Sequence, residues 1–302
     1  MPAVIRRWSC VLAIVVFSAL VASGAATAQT AQKPYAPGSS PTAGSPDWNT
    51  PQTLEPYDSV HLEELTWVEA RDAIKGGKKT VIIATSGIEQ SGPYAAVGKH
   101  TYIVNATAEA IARKLGDCLV APIITLVPEG NPEATTGRRW YPGTVGVSVD
   151  TFKREVTDVA LALRASGFER IVLIGDHGST QTPMKEVADE LTARWTDGKT
   201  QIKYIAEYYD YPAVSKFAAD TLGIKEDDEG LHDNYVITAM MMSVDPNTVR
   251  TKQRIKANRF IINKVNLAPE SKTIANGKKC IDFIATRTAA AIRKAFGQAA
   301  TN

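Results

Sequence analysis

The sequence predicts an α/β protein: a single three-layer α/β/α domain built on a mostly parallel central sheet. Two observations carry this expectation. Short β-branched apolar runs alternate along the chain with longer stretches whose apolar residues recur at helical spacing. Polar residues suited to metal and acid–base chemistry collect just after those short runs, where open parallel sheets place their ligand sites.

The elements follow in order. Thr66-Trp67-Val68-Glu69 has the form of a capping box and opens a helix that Gly76-Gly77 ends. Thr80 to Thr85 (TVIIAT) reads as a buried strand. Ala106, Ala110, Ile111 and Leu115 share one helical face, and Gly116 stops that helix. Leu119 to Ile124 is the next strand. Phe152, Val156, Val159 and Leu163 mark a helix that closes at Gly167. Ile171 to Gly175 (IVLIG) is a strand, and Thr182-Pro183 starts a helix through Met184, Val187, Leu191 and Trp195. Ile202 to Tyr208 is a further strand. Ile281, Ile284, Ala285, Ile292 and Phe296 line a final helix in which Thr288 is the one polar intruder.

The first residues read as a targeting segment. Arg6 and Arg7 precede an apolar run from Val11 to Val21, and Ala26-Thr27-Ala28 is an A-x-A cleavage site. The expectation is a signal peptide over 1–28, export to the periplasm or medium, and no stable membrane anchor. Residues 29–57 are rich in Pro, Ser, Gly and Thr and predict a flexible arm. Residues 58–302 are expected to form a single folded domain. The chain carries 34 Lys+Arg against 32 Asp+Glu, and losing Arg6 and Arg7 balances the mature chain. No basic block remains, so nucleic acid is not an expected partner, and a small-molecule substrate is. Cys118 and Cys280 are read as two buried thiols, with a disulfide the other reading for an exported chain.

Glu89 lies just past the TVIIAT strand, and His100 follows eleven residues later in Gly98-Lys99-His100. Asp176 and His177 sit directly after IVLIG between Gly175 and Gly178, and His232-Asp233 follow the acidic run from Glu226 to Glu229. His61, near the arm, is assigned to the surface. Imidazole and carboxylate together suit zinc, manganese or iron(II), and a hydrolytic site needs about three protein ligands with an open position.

These motifs resemble the creatininase (creatinine amidohydrolase) family. The segments are EQSGPY at Glu89 to Tyr94, GKH at Gly98 to His100, YPGT at Tyr141 to Thr144, GDHGS at Gly175 to Ser179 and LHDN at Leu231 to Asn234. The resemblance implies that Glu89 and His177 are metal ligands, that His100 occupies a ligand position where the family has Asp, and that His232 is the catalytic histidine. It also implies a homo-oligomer, by analogy a hexamer. The sequence departs from the pattern at Ser91, where the family has His, at Asp176, where it has Gly, and at Ile237, where it has an acidic residue. One metal per chain is therefore expected in place of the family's bridged pair, with Asp176 as a further ligand and Asp233 orienting His232 or acting as base. The function this implies is hydrolysis of a small amide or cyclic amide. A non-catalytic small-molecule binder on the same fold and a metal-dependent lactone hydrolase are the alternatives.

Overall fold

The structure, a computed structural model, describes residues 46–298. The expected signal peptide and residues 29–45 of the arm lie outside the described residues. Helix α1 (Trp67–Lys75) begins as its sequence dictates: the Thr66 hydroxyl accepts from the Glu69 amide, and the Glu69 carboxylate accepts from the Thr66 amide. Strand β1 (Thr80–Thr85) is buried along its whole length. Helix α2 (Lys99–Leu115) follows and ends at Gly116.

Strand β2 (Cys118–Val120) is shorter than its apolar run suggests. Pro122 has no amide to pair, which interrupts the ladder. The amides of Ala121 and Ile124 still donate to Ile82 and Ala84, so the chain keeps tracking β1 to the sheet edge. Helix α3 (Val149–Ala165) is capped by Ser148 and followed by β3 (Arg170–Gly175), α4 (Gln181–Arg194) and β4 (Gln201–Tyr204). The expected strand to Tyr208 ends early, because Ala206–Tyr208 turns into a 3-10 helix. Next come α5 (Tyr211–Leu222), α6 (Tyr235–Val244), α7 (Thr251–Lys256), a small antiparallel hairpin of β5 (Ile261–Ile262) and β6 (Val265–Asn266), and the long α8 (Glu270–Ala295).

The four main strands are all parallel, in the order β2-β1-β3-β4, with Thr80 opposite Arg170 through Thr85 opposite Gly175. Side chains alternate across the sheet, as strand geometry requires. Ile82, Ala84, Val172 and Ile174 pack beneath α2, α6 and α8, while Val81, Ile83, Ile171 and Leu173 pack against α3 and α4. Two helical layers thus cover the sheet, and the three-layer α/β/α architecture is present. Helices α6 and α8 cross closely at Gly277, where an added Cβ would stand 1.9 Å from the Ala239 carbonyl oxygen.

Several details were not evident beforehand. His61, assigned to the surface from sequence, is buried, because the chain there runs beside β2 and bridges Val120. Within the described residues of the arm, the Trp48 and Thr50 carbonyls accept from the buried Arg71 guanidinium. The Trp48 ring lies 6.2 Å from that of Trp67. Cys118 and Cys280 are both buried free thiols. No helix among the described residues is long and apolar enough to cross a membrane.

Candidate active site

Because β1, β2 and β3 run parallel, their carboxyl ends deliver three loops to one edge of the sheet. The loop after β1 carries Glu89, whose amide donates to the Val97 carbonyl while Ile88 bridges Val145, and the returning chain enters α2 at Lys99 and His100. The β3 loop carries Asp176 and His177. Gly87 leaves room for the His177 ring, since a Cβ there would meet the ring carbons at 3.0 Å. The loop after β2 brings Glu129, held by pairing of Pro128 with Val147. His232 and Asp233 arrive from the loop before α6, pinned to the β1 loop by the Gly92 amide and the Leu231 carbonyl.

Glu89, His100 and His177 each present a ligand atom within 4.8 Å of the others. Glu89 divides its two oxygens. Oε1 faces His100 Nε2 at 2.8 Å, Lys99 Nζ at 3.4 Å and His232 Nε2 at 3.4 Å. Oε2 faces His177 Nε2 at 3.4 Å and Arg138 Nε at 3.9 Å. Burial alone would raise the Glu89 pKa, but hydrogen bonds from His100 and His177 and the Lys99 charge hold it well below the usual carboxylate range.

His100 is clamped at both ring nitrogens, by Glu89 and by Asp176 Oδ2 at 2.8 Å. Burial works against its charged form, yet the two carboxylates outweigh burial and raise its pKa. Asp176 lies behind His100: its other oxygen accepts from Tyr211 at 2.8 Å and Tyr208 at 3.4 Å. Its side chain therefore orients His100 and does not face the cluster.

Glu129 was not singled out from sequence, although it too follows a strand end. Its Oε1 is 3.1 Å from His177 Nε2 and finds no hydrogen bond of acceptable geometry. Burial, reinforced by the neighbouring Glu89 charge, pushes its pKa up to about 8. On the far side of the ring, His177 Nδ1 is 2.7 Å from Ser179 Oγ, which donates to the Pro128 carbonyl. The Ser179 amide also reaches Nδ1, at 3.2 Å, so the ring is fixed from that side with Nε2 turned toward two carboxylates.

His232 Nδ1 donates to the Gln90 carbonyl at 2.7 Å, so its orienting partner is backbone. Asp233, expected in that role, accepts instead from the Asn234 amide and Thr238 Oγ1. Burial, with Lys99 beside it, lowers the His232 pKa to about 4, and burial raises that of Asp233 to about 6. A cavity of about 750 Å³ opens beside His232 and Asp233, with Arg138, Lys225, Glu226 and Ile237 on its walls.

The donor set fits a divalent transition ion. Ligands about 2.1 Å from a tetrahedral ion stand roughly 3.4 Å apart. His177 Nε2 stands near that spacing from Glu89 Oε2, at 3.4 Å, and from Glu129 Oε1, at 3.1 Å. A buried carboxylate oxygen without a hydrogen-bond partner beside an imidazole nitrogen is an arrangement that a bound cation would satisfy.

Comparison with known proteins identifies the fold and the family. A search of curated proteins finds creatinine amidohydrolase of Pseudomonas putida, 25% identical over 119 residues, covering 39% of this chain and 45% of that protein. It also finds 3-dehydro-scyllo-inosose hydrolase of Thermotoga maritima, 26% identical over 135 residues, covering 41% of this chain and 38% of that protein. The chain thus spans less than half the length of either relative. Among solved structures, a tryptophan-to-alanine mutant creatininase superposes with a TM-score of 0.59 at 22% identity, over 79% of this chain and 99% of that one. A manganese creatininase gives 0.58 at 20% identity, again over 79% and 99%. Residues 63–292 match the family model Creatininase, described as creatinine amidohydrolase, and the chain belongs to that family.

Proposed function

We propose that the protein is a metal-dependent hydrolase that cleaves the C–N bond of a small amide or cyclic amide, holding one divalent ion through Glu89, His177 and Glu129. The observation that carries this reading is the buried Glu129 oxygen, which lacks a hydrogen bond and faces His177 Nε2 at 3.1 Å. When bound there, a zinc or manganese ion would supply Lewis acidity toward water and toward the scissile carbonyl.

The chain's own residues account for the rest. His100, locked by Asp176, fixes Glu89, and Ser179 fixes His177. His232, which lines the cavity, is neutral at pH 7, with Nδ1–H committed to Gln90 and Nε2 3.4 Å from both Lys99 Nζ and Glu89 Oε1. It takes a proton from the attacking water as oxygen adds to the carbonyl carbon. It returns that proton to the nitrogen as the C–N bond breaks, giving an acid and an amine. Export with Gln29 as the mature N-terminus, and a homo-oligomeric assembly, belong to the same proposal and rest on the signal pattern and on family analogy.

A non-catalytic binder is the second reading, favoured by Ser91 standing in the loop where the family has His. Elemental analysis of the gently purified protein separates the two. Close to one transition metal per chain supports the hydrolase, whereas a chain that holds none and takes up neither zinc nor manganese overturns it.

A further inference from the structure

Lys99 is the first residue of α2, and only 1% of its side chain is accessible. Two costs attend an ammonium there. Burial removes its hydration, and the positive end of the helix dipole opposes a cation. Burial lowers its pKa, while Glu89 and Asp233 pull in the opposite direction. The group nevertheless makes no close bond. Nζ is 3.4 Å from Glu89 Oε1, 3.4 Å from His232 Nε2 and 3.4 Å from the His232 carbonyl oxygen, three long contacts shared among three acceptors.

Its surroundings explain the position. Glu89 Oε1 and His232 Nε2 are themselves 3.4 Å apart, and the Nε2 lone pair is open because Nδ1–H donates to Gln90. A carboxylate oxygen and an open imidazole nitrogen at that separation form a cation-binding pair in their own right, with roughly the spacing of neighbouring ligands on one ion. The site therefore has two cationic positions on opposite sides of one carboxylate. The Oε2 side has His177 and Glu129 and no fixed positive charge closer than Arg138 at 3.9 Å. The Oε1 side has Lys99.

We propose that the Lys99 ammonium is a tethered cation that takes the place of a second metal ion between Glu89 Oε1 and His232 Nε2, restricting the site to a single divalent ion. This rests on the metal-dependent reading above. It adds a reason for the stoichiometry: a point charge on a flexible stem satisfies Glu89 and His232 without being lost to a chelator.

The test is manganese stoichiometry on the full mature chain, followed by calorimetric titration and by elemental analysis after desalting. Wild-type protein should saturate at one ion, and Lys99→Met, which keeps the stem and removes the charge, should saturate at two. Lys99→Arg, which keeps the charge, should remain at one and serves as the folded control. Two ions on the wild-type chain would overturn the proposal, and so would Lys99→Met saturating at one. If Lys99→Met does not fold, Lys99→Gln takes its place under the same criteria, and the wild-type count decides independently. A wild-type chain that binds no ion overturns the metal-dependent reading itself and this proposal with it. One ion on wild type and one on the neutral variants overturns only the role of Lys99.

Discussion

Ser91 Oγ donates a 2.8 Å hydrogen bond to the carbonyl of His232, whose backbone sits in the left-handed region at φ 56°. Non-glycine residues adopt that conformation at a cost, and a bond to the carbonyl helps hold it. The residue that departs from the family pattern in the β1 loop thus positions the proposed proton carrier. Ser91→Ala should cost about 1 kcal/mol of stability. It should lower turnover about tenfold while metal content stays unchanged, as read by paired elemental analysis and rate measurement. Equal loss of metal and activity would assign Ser91 to the ion instead.

His177 and His232 should separate cleanly. His177→Ala removes one of three donors, so the ion is lost on desalting. His232→Ala should keep the ion, with turnover reduced by roughly 10²–10⁴-fold. Metal retained by His177→Ala would show that Nε2 is not a ligand.

Glu129 makes the metal-free protein sensitive to alkali. Its pKa rises from 4.5 to about 8 on folding, so between those values the folded chain keeps a proton that the unfolded chain has released. Stability from this group accordingly falls as pH climbs through that window. Asp233 acts with the same sign at lower pH, and His232, lowered from 6.5 to about 4, acts with the opposite sign. Comparison with Glu129→Gln cancels both. In chelator, wild type and Glu129→Gln should melt within a few degrees of each other at pH 5.5, and wild type should melt clearly lower at pH 8.5. Added manganese or zinc should restore wild type alone, because an ion favours the ionised carboxylate.

Gly277→Ala tests the packing of α8 against α6. A Cβ 1.9 Å from the Ala239 carbonyl oxygen forces the helices apart, and a penalty of about 3 kcal/mol is expected. For a domain of this size the melting temperature should drop by roughly 6–12 °C. A shift under two degrees would mean the crossing relaxes freely.

Arg71→Ala tests the arm. The guanidinium holds the carbonyls of Trp48 and Thr50 against α1, so its loss should expose the segment before Tyr57 to limited proteolysis. The domain beyond should keep its melting temperature within a few degrees, since the hydrogen bonds lost run to the arm and to the neighbouring Asp72. Unchanged proteolysis would show that the Trp48 and Trp67 rings suffice.

Local chemistry made much of this protein readable from sequence. The Thr66 to Glu69 cap, strands β1 and β3 and the faces of α2, α3 and α4 follow from hydrogen-bonding side chains and apolar periods spanning a few residues. Helix α6 was not readable in this way. Eight of its ten residues are buried, so no polar face marks its period. Strand β2 was readable in place but not in length, because Pro122 ends the ladder that hydropathy alone would continue.

The candidate site divides along the same line. Sequence by itself determined that Glu89, Asp176 and His177 stand at strand ends, since position after a strand is a local property, and that His100 follows Glu89 closely enough to return to it. Tertiary structure alone decided what those residues face. Parallel pairing of β2 with β1 brings in Glu129, and packing of the Tyr208 and Tyr211 hydroxyls turns Asp176 toward His100. Docking of the Leu231 loop on the β1 loop sets His232 against Gln90 and Lys99, residues more than 130 positions away. Those choices depend on which distant segments share a buried volume, and a single-residue pattern carries no record of that.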